Sequence, residues 1–196
     1  FGLALSRFLY RDDSVYTTIY NGRNDSRLSE SVGMFVHTLP VVCRVEEGES
    51  GIAYAKRIGQ QLTDSMTNDI YSFAEISRQF DIKANIIFVY QGRLGADPMV
   101  GGRKAESIPP ELNAIKARLM INVYEKDDGF EITCEYDSQH FEAWSVRALL
   151  EAAVRAFSGL IRDQKIGEIS LVSPDEKRMM DACNQTERPV EPTDIV

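Results

Sequence analysis

Apolar and polar positions along this chain alternate with two different periods. Residues 1–10 place Phe1, Leu3, Leu5, Phe8 and Leu9 mostly at helical spacing. Residues 15–20 (VYTTIY) are β-branched and aromatic and predict a strand. Asn21-Gly22 then turns the chain, and residues 23–30 are polar. A nearly continuous apolar run follows, VGMFVHTLPVVCRV over residues 32–45. Gly33 gives it a hinge or a point of close backbone approach, and residues 39–45 read as a strand. His37 sits inside this run, where it reads most simply as a satisfied histidine of a core strand.

Residues 52–66 predict a helix whose face carries Ile52, Ala55, Ile58, Leu62 and Met66. Ser72 followed by Glu75 reads as a capping box for a short helix over 73–80. Residues 85–92 (NIIFVYQG) form the most apolar strand, apolar on both faces, as suits a central strand. Residues 93–110 have no periodicity and contain three prolines. They read as a functional or a mobile loop. Residues 119–124 and 130–136 alternate cleanly around an Asp-Gly turn and predict a hairpin. A long helix over 143–164 follows, with Trp144, Leu149, Ala152, Ala153, Ala156, Leu160 and Ile161 on one broad face. Ser173-Pro174 starts a last helix, with serine at the N-cap and proline at the first helical position. Strand and helix signals alternate, which predicts an α/β chain with a mixed sheet packed by helices.

Composition narrows the picture by exclusion. The chain has 196 residues and a net charge of −8. That charge argues against a nucleic-acid partner, because phosphate contacts need a basic footprint. No run approaches the length of a membrane span, so no membrane partner is expected. Residue 1 opens an amphipathic pattern without a basic leader, so no signal peptide is expected. Cys43, Cys134 and Cys183 are too widely spaced for a zinc knuckle or a CxxC pair. Cys43 and Cys134 read as reduced core residues, which fits a cytoplasmic protein. No Walker loop, GxGxxG or GxSxG motif is present.

Several stretches, in order, resemble one family. VGMFVHTLPV at residues 32–41 resembles the (I/V)GxFVNTxP segment of nonribosomal peptide synthetase condensation domains. Gly22-Arg23 resembles the "GR" after the preceding strand, although a loop arginine is by itself commonly only solvated. Asn68, Asp69 and Phe73 fit the (H/N)xDxPFE segment in part, with Ser72 in place of the proline. Residues 85–92 resemble FxxxFVxQ, while the preceding RDxSRxPL motif is nearly lost. YDSQHF at 136–141 resembles YDSxLF, with His140 in place of an apolar residue and structural or exposed. Residues 171–186 resemble LLSxxExxxxLxxxNxT, the start of the linker toward an adenylation domain.

The resemblance implies a chloramphenicol acetyltransferase-like fold of two α/β lobes around a tunnel. It implies that residues 1–168 are the C-terminal lobe and residues 169–196 the linker. The lobe would supply a tunnel wall from Gly33, Phe35, Val36, His37 and Thr38, and a carrier-docking surface. Gly22, Arg23, Asn68, Asp69 and Phe73 would be structural. The HHxxxDG motif, whose second histidine orients or deprotonates the attacking amine, belongs to the other lobe. This chain is therefore expected to hold no catalytic residue and no metal, and to be inactive alone. The expected partners are the N-terminal lobe, peptidyl carrier proteins presenting a phosphopantetheine arm, and a downstream adenylation domain; no cofactor is expected to bind the chain directly. The segment crossing to the other lobe would lie in 93–110 or its flank, 108–115. An epimerisation-domain lobe, a non-catalytic carrier-docking module and a self-contained acyltransferase remain as alternatives. The last requires a buried, paired histidine.

Overall fold

The computed structural model describes residues 1–23, 25–28, 30–93, 99–105 and 116–186. Helix α1 spans Gly2–Phe8, and strand β1 spans Asp13–Tyr20. Strand β2 follows at His37–Arg44, helix α2 at Gly51–Thr67 and helix α3 at Phe73–Phe80. Strand β3 is Ile86–Gly92, and the short strands β4 (Met99–Val100) and β5 (Arg103–Lys104) pair only with each other. Strands β6 (Leu119–Lys126) and β7 (Gly129–Tyr136) form the expected hairpin. Helix α4 is Ala143–Ile161 and helix α5 is Pro174–Cys183.

The five long strands form one mixed sheet in the order β2-β1-β3-β6-β7. β3 lies at its centre, parallel to both β1 and β6, while the two edge strands are antiparallel to their neighbours. The central position agrees with its apolar sequence. Leu119, Ile121, Ile86 and Phe88 pack under Ala4 of α1 and Val146, Leu149 and Ala152 of α4. Burial of these side chains supplies most of the drive for the layer, at roughly 1.5–3 kcal/mol for each fully buried Leu, Ile or Val. A second cluster joins Leu3, Val45, Tyr54 of α2, Ala156 of α4 and Ile166.

The helix starts that depend on neighbouring residues form where the sequence predicts them. Ser72 and Glu75 form the reciprocal capping box of α3, and Ser173 and Glu176 form another at α5, with Pro174 inside its first turn. Faces were harder. The predicted face of α2 is rotated: Ile52 is 44% exposed and Ala55 is exposed, while Gly51 and Tyr54 are buried. The reason is packing. Gly51 lies against the backbone of Leu160, where a Cβ would come within 2.7 Å, and that contact fixes which side of α2 faces inward. On α4 the predicted Leu149, Ala152 and Ala156 are buried, joined by Val146 and Gly159, while Trp144 and Ile161 are exposed. The crossing segment expected in 93–110 or 108–115 lies mostly outside the described residues, as does the end of the expected linker.

Among the described residues, the sheet edge at β2 is covered by side chains rather than by another strand. Arg57 of α2 donates to the Arg44 carbonyl at 2.9 Å. One turn on, the Gln61 amide faces the backbone of Val42, with its nitrogen donating to the carbonyl at 2.8 Å and its oxygen accepting from the N–H at 3.3 Å. Residues four apart share one helix face, so α2 lies along the edge and blunts it against pairing with another chain. Among the described residues, no helix is long and apolar enough to cross a membrane.

Candidate functional site

The site is built where β1 ends and β2 begins. Beyond Tyr20 the chain turns at Asn21-Gly22, and the Arg23 N–H donates to the Asn21 side-chain oxygen at 3.1 Å. Gly22 has φ +64, and a Cβ there would sit 1.9 Å from the Phe35 carbonyl oxygen and 3.1 Å from Cδ2 of His37. Only glycine fits this crossing of two backbones.

Arg23 is not a merely solvated loop residue. Its guanidinium donates to the carbonyls of Leu28, Ser31 (2.9 Å) and Gly33 (3.4 Å), and lies 4.5 Å from the centroid of the Phe35 ring. One planar cation therefore satisfies three loop carbonyls and stacks on an aromatic face, a combination that a lysine cannot make. Gly33 serves the same packing, since a Cβ there would come within 3.1 Å of the Phe35 ring.

The apolar run before β2 is not a core strand. Val32 and Met34 are almost fully exposed and Val36 is half exposed, while burial begins at Leu39. Arg23 draws the Phe35 ring and the loop carbonyls inward, which leaves these neighbouring side chains outward. Thr38 is half-buried and pairs with Ile19.

His37 opens β2 with its ring beside Tyr20, 6.3 Å between centroids. Its Nε2 is 4.0 Å from a carboxylate oxygen of Asp69, which lies between α2 and α3. Asn68 caps α2, its amide donating to the Asp64 carbonyl at 2.8 Å. Asn68 and Asp69 line an open cleft of about 660 Å³ together with Leu39, Pro40, Tyr71 and Ile76. Phe73 is the first residue of α3, half-buried, and does not line the cleft. Ile70 and Tyr71, in the connection between α2 and α3, are both exposed.

Of the ten residues singled out from the sequence, Gly22, Arg23, Gly33, Phe35 and His37 meet directly, and Asp69 joins them through His37. The sequence left Gln61, Tyr71 and Ile76 unmarked. Their place beside Asn68 and Asp69 on the cleft follows only once α2 and α3 are set against β2.

Other titratable groups have ordinary structural roles. Burial pushes the Cys43 thiol up, as it does the Tyr16 and Tyr54 phenols beside it, so this cluster is inert core. Burial and then the Glu135 charge push the Cys134 thiol up to about 11; Cys134 is only half-buried, where a core position was expected. His140 Nδ1 is 2.6 Å from the Asp137 carboxylate and holds the turn before α4. The His37 and His140 side chains are 40% and 42% exposed. Neither is the buried histidine that a self-contained acyltransferase requires. Among the described residues, no group of three or more His, Cys, Asp or Glu could hold a metal ion.

Comparison with known proteins gives a consistent result. The family model described as "Condensation domain" matches residues 1–180. Bacitracin synthase 3 of Bacillus licheniformis is 23% identical over 180 residues, 87% of this chain and 3% of that protein. Surfactin synthase subunit 1 of Bacillus subtilis (strain 168) is 25% identical over 182 residues, 88% of this chain and 5% of that protein. Among solved structures, the starter condensation domain of rhizomide synthetase superposes with a TM-score of 0.69 at 19% identity. That superposition covers 87% of this chain and 42% of that one. A four-domain nonribosomal peptide synthetase gives a TM-score of 0.71 at 17% identity, over 90% of this chain and 16% of that one. The chain thus spans a few per cent of the curated relatives and under half of a condensation-domain structure. The mixed sheet packed by helices that the sequence predicts is thus a fold shared with condensation-domain structures.

Proposed function

The chain belongs to the condensation domain family, and from that premise we propose that it is the C-terminal lobe of an amide-forming domain of a nonribosomal peptide synthetase. In this reading residues 1–168 are the lobe and 169–196 lead toward an adenylation domain. The observation that carries it is the meeting of Gly22 and Arg23 with Gly33, Phe35 and His37 at one end of the sheet. The family-like motifs at 22–23 and 32–41, apart in sequence, become one wall. The exposed Val32, Met34 and Val36 on that wall suit coverage by a second lobe.

The reaction joins two carrier-bound substrates, each held as a thioester on a phosphopantetheine arm. The amine of the acceptor attacks the donor carbonyl. A C–N bond forms, the C–S bond breaks, and the proton lost by nitrogen ends on the departing thiol. The general base is assigned to the HHxxxDG histidine of the other lobe. The contribution of this chain is shape: Arg23 fixes the 28–35 loop, Gly22 and Gly33 allow close approach, and the wall guides the thioester. His37 stands where the family has asparagine and keeps a ring N–H donor. The partners in this reading are the N-terminal lobe, carrier proteins and an adenylation domain, in the cytoplasm. The chain alone is inactive.

A non-catalytic docking role is the second reading. The X-domain–OxyB complex from teicoplanin biosynthesis, with a TM-score of 0.67 over 88% of this chain at 18% identity, is a fold neighbour solved with another protein bound. The test is the reading frame upstream of Phe1. An HHxxxDG motif within about 200 residues, roughly one domain's length, supports the amide-forming lobe. An upstream domain lacking that motif supports docking.

A further inference from the structure

Helix α5 leaves the body of the chain without burying a residue of its own, and Met179 and Met180 are exposed on it. The segment before it does the opposite. Ile166 and Ile169 are buried in the cluster with Leu3, Val45, Tyr54 and Ala156, and Leu171 packs against both main clusters. The Ile166 N–H donates to the Glu49 carbonyl, and the Gly167 N–H to the Glu47 carbonyl, each at 2.9 Å. Gly159 of α4 makes the room, since a Cβ there would come within 2.7 Å of Ile169. The chain is therefore held fast as far as Leu171, and α5 begins two residues beyond Val172 at Pro174.

One side chain spans that change. Arg155 of α4 donates from Nε to the Leu171 carbonyl at 2.7 Å. Its Nη2 lies 3.7 Å from Oε2 of Glu176 in α5, and its Nη1 lies 3.8 Å from Oε2 of Glu151. We infer that Arg155 is a positioning residue that ties the start of α5 to α4 and so sets the direction in which α5 leaves the body.

An ion pair on a surface contributes little when both side chains must be ordered to form it. Here the guanidinium is already fixed by its bond to Leu171, and its side chain is only 26% exposed. The carboxylate is fixed as well. The Glu176 Oε2 that faces Arg155 is the oxygen that accepts from the Ser173 N–H at 2.7 Å, so the cation acts on the cap of α5 and not on a free side-chain tip. The Arg178–Asp175 pair lies within α5. Among the described residues, no other hydrogen bond or ion pair ties 174–183 to the chain before Ser173. The planar fork matters, because a single ammonium cannot serve the Leu171 carbonyl and two carboxylates along these directions. What α5 orients rests on the proposed reading, in which the chain leads toward an adenylation domain; the tie itself does not.

The test is amide residual dipolar couplings on the full 196-residue chain, with α4 as the internal frame. In the wild type the couplings of 174–183 fit the same alignment as α4. Arg155→Met keeps an apolar stem and loses the fork. In that variant the α5 couplings shrink together by about a factor of two or more, as for a segment moving as a unit, while 166–170 keep theirs. Glu176→Gln can still fill the capping box and shows a smaller loss in the same direction. Adding it to Arg155→Met brings no further loss, because both remove one interaction. Wild-type α5 couplings that are already averaged, or α5 couplings unchanged in Arg155→Met, overturn the tie, as does a loss spread equally over 166–170. Should Arg155→Met not fold, Glu176→Gln decides alone, and unchanged α5 couplings there overturn the tie. Loss of the tie with amide formation intact would leave the proposed function standing, and the reverse result would leave the tie standing.

Discussion

The guanidinium of Arg23 stacks on the ring of Phe35, with 4.5 Å between Cζ and the ring centroid, while the same group donates to the carbonyls of Ser31 and Gly33. The stack holds part of the sixteen-residue connection between two antiparallel strands as a shaped wall. It also explains why the apolar residues flanking Phe35 face outward.

Replacing Arg23 with lysine keeps the charge and loses the fork. We expect the 28–35 loop to open more readily by about 1–2 kcal/mol, the scale of a lost charged hydrogen bond with part of a cation–π contact. Hydrogen exchange of the loop amides in Arg23→Lys measures this. The melting temperature of the sheet changes little, because the loop lies outside the buried clusters.

Gly22→Ala faces a harder conflict. The added Cβ meets the Phe35 carbonyl oxygen at 1.9 Å, from a backbone already at φ +64. Backbone atoms cannot yield as a side-chain tip can. Destabilisation of about 2 kcal/mol or more is expected, combining left-handed strain with displacement of the wall. Urea unfolding compared with the wild type provides the measurement.

Ser72→Ala removes the hydroxyl that accepts from the Glu75 N–H and so breaks the box at α3. A cost of about 1 kcal/mol is typical of such a cap. It should surface as faster exchange in the first turn of α3 while β3 and β6 keep their protection.

Both capping boxes also carry a pH signature. Hydrogen bonds from Ser72 hold the Glu75 carboxyl below its ordinary value of 4.5, and the Ser173 backbone N–H, then its hydroxyl, does the same for Glu176. A lowered native value means that the stabilisation is complete above the unfolded value and fades as pH falls through the native one. Helices α3 and α5 should therefore fray below about pH 4.5 before the sheet unfolds. Residue-resolved exchange on acid titration tests this, and Ser72→Ala, which keeps only the backbone N–H bond to Glu75, should reduce the pH dependence at α3 and leave α5 unchanged.

The capping boxes, the hairpin and the central strand were legible because each depends on residues close in sequence or on one strand's own composition. The face of α2 was not, because the contact of Gly51 with the Leu160 backbone, across more than a hundred residues, decides it. Arg23 looked like any loop arginine, since its acceptors are backbone carbonyls that leave no trace in side-chain pattern. The motif resemblance singled out His37 and Asp69 separately. Their pairing emerges only when β2 and the α2–α3 connection are set side by side.

The most direct test of the central claim is amide formation itself. The longer protein containing this chain and its upstream lobe is mixed with one carrier bearing a donor aminoacyl thioester and another bearing an acceptor. The species on each carrier are then read by intact-mass spectrometry. The account predicts a dipeptidyl thioester on the acceptor carrier and a free thiol on the donor, with product lost when the upstream lobe is omitted and reduced by Gly22→Ala. Unchanged carriers in the presence of both lobes, or product formed without the upstream lobe, would contradict it.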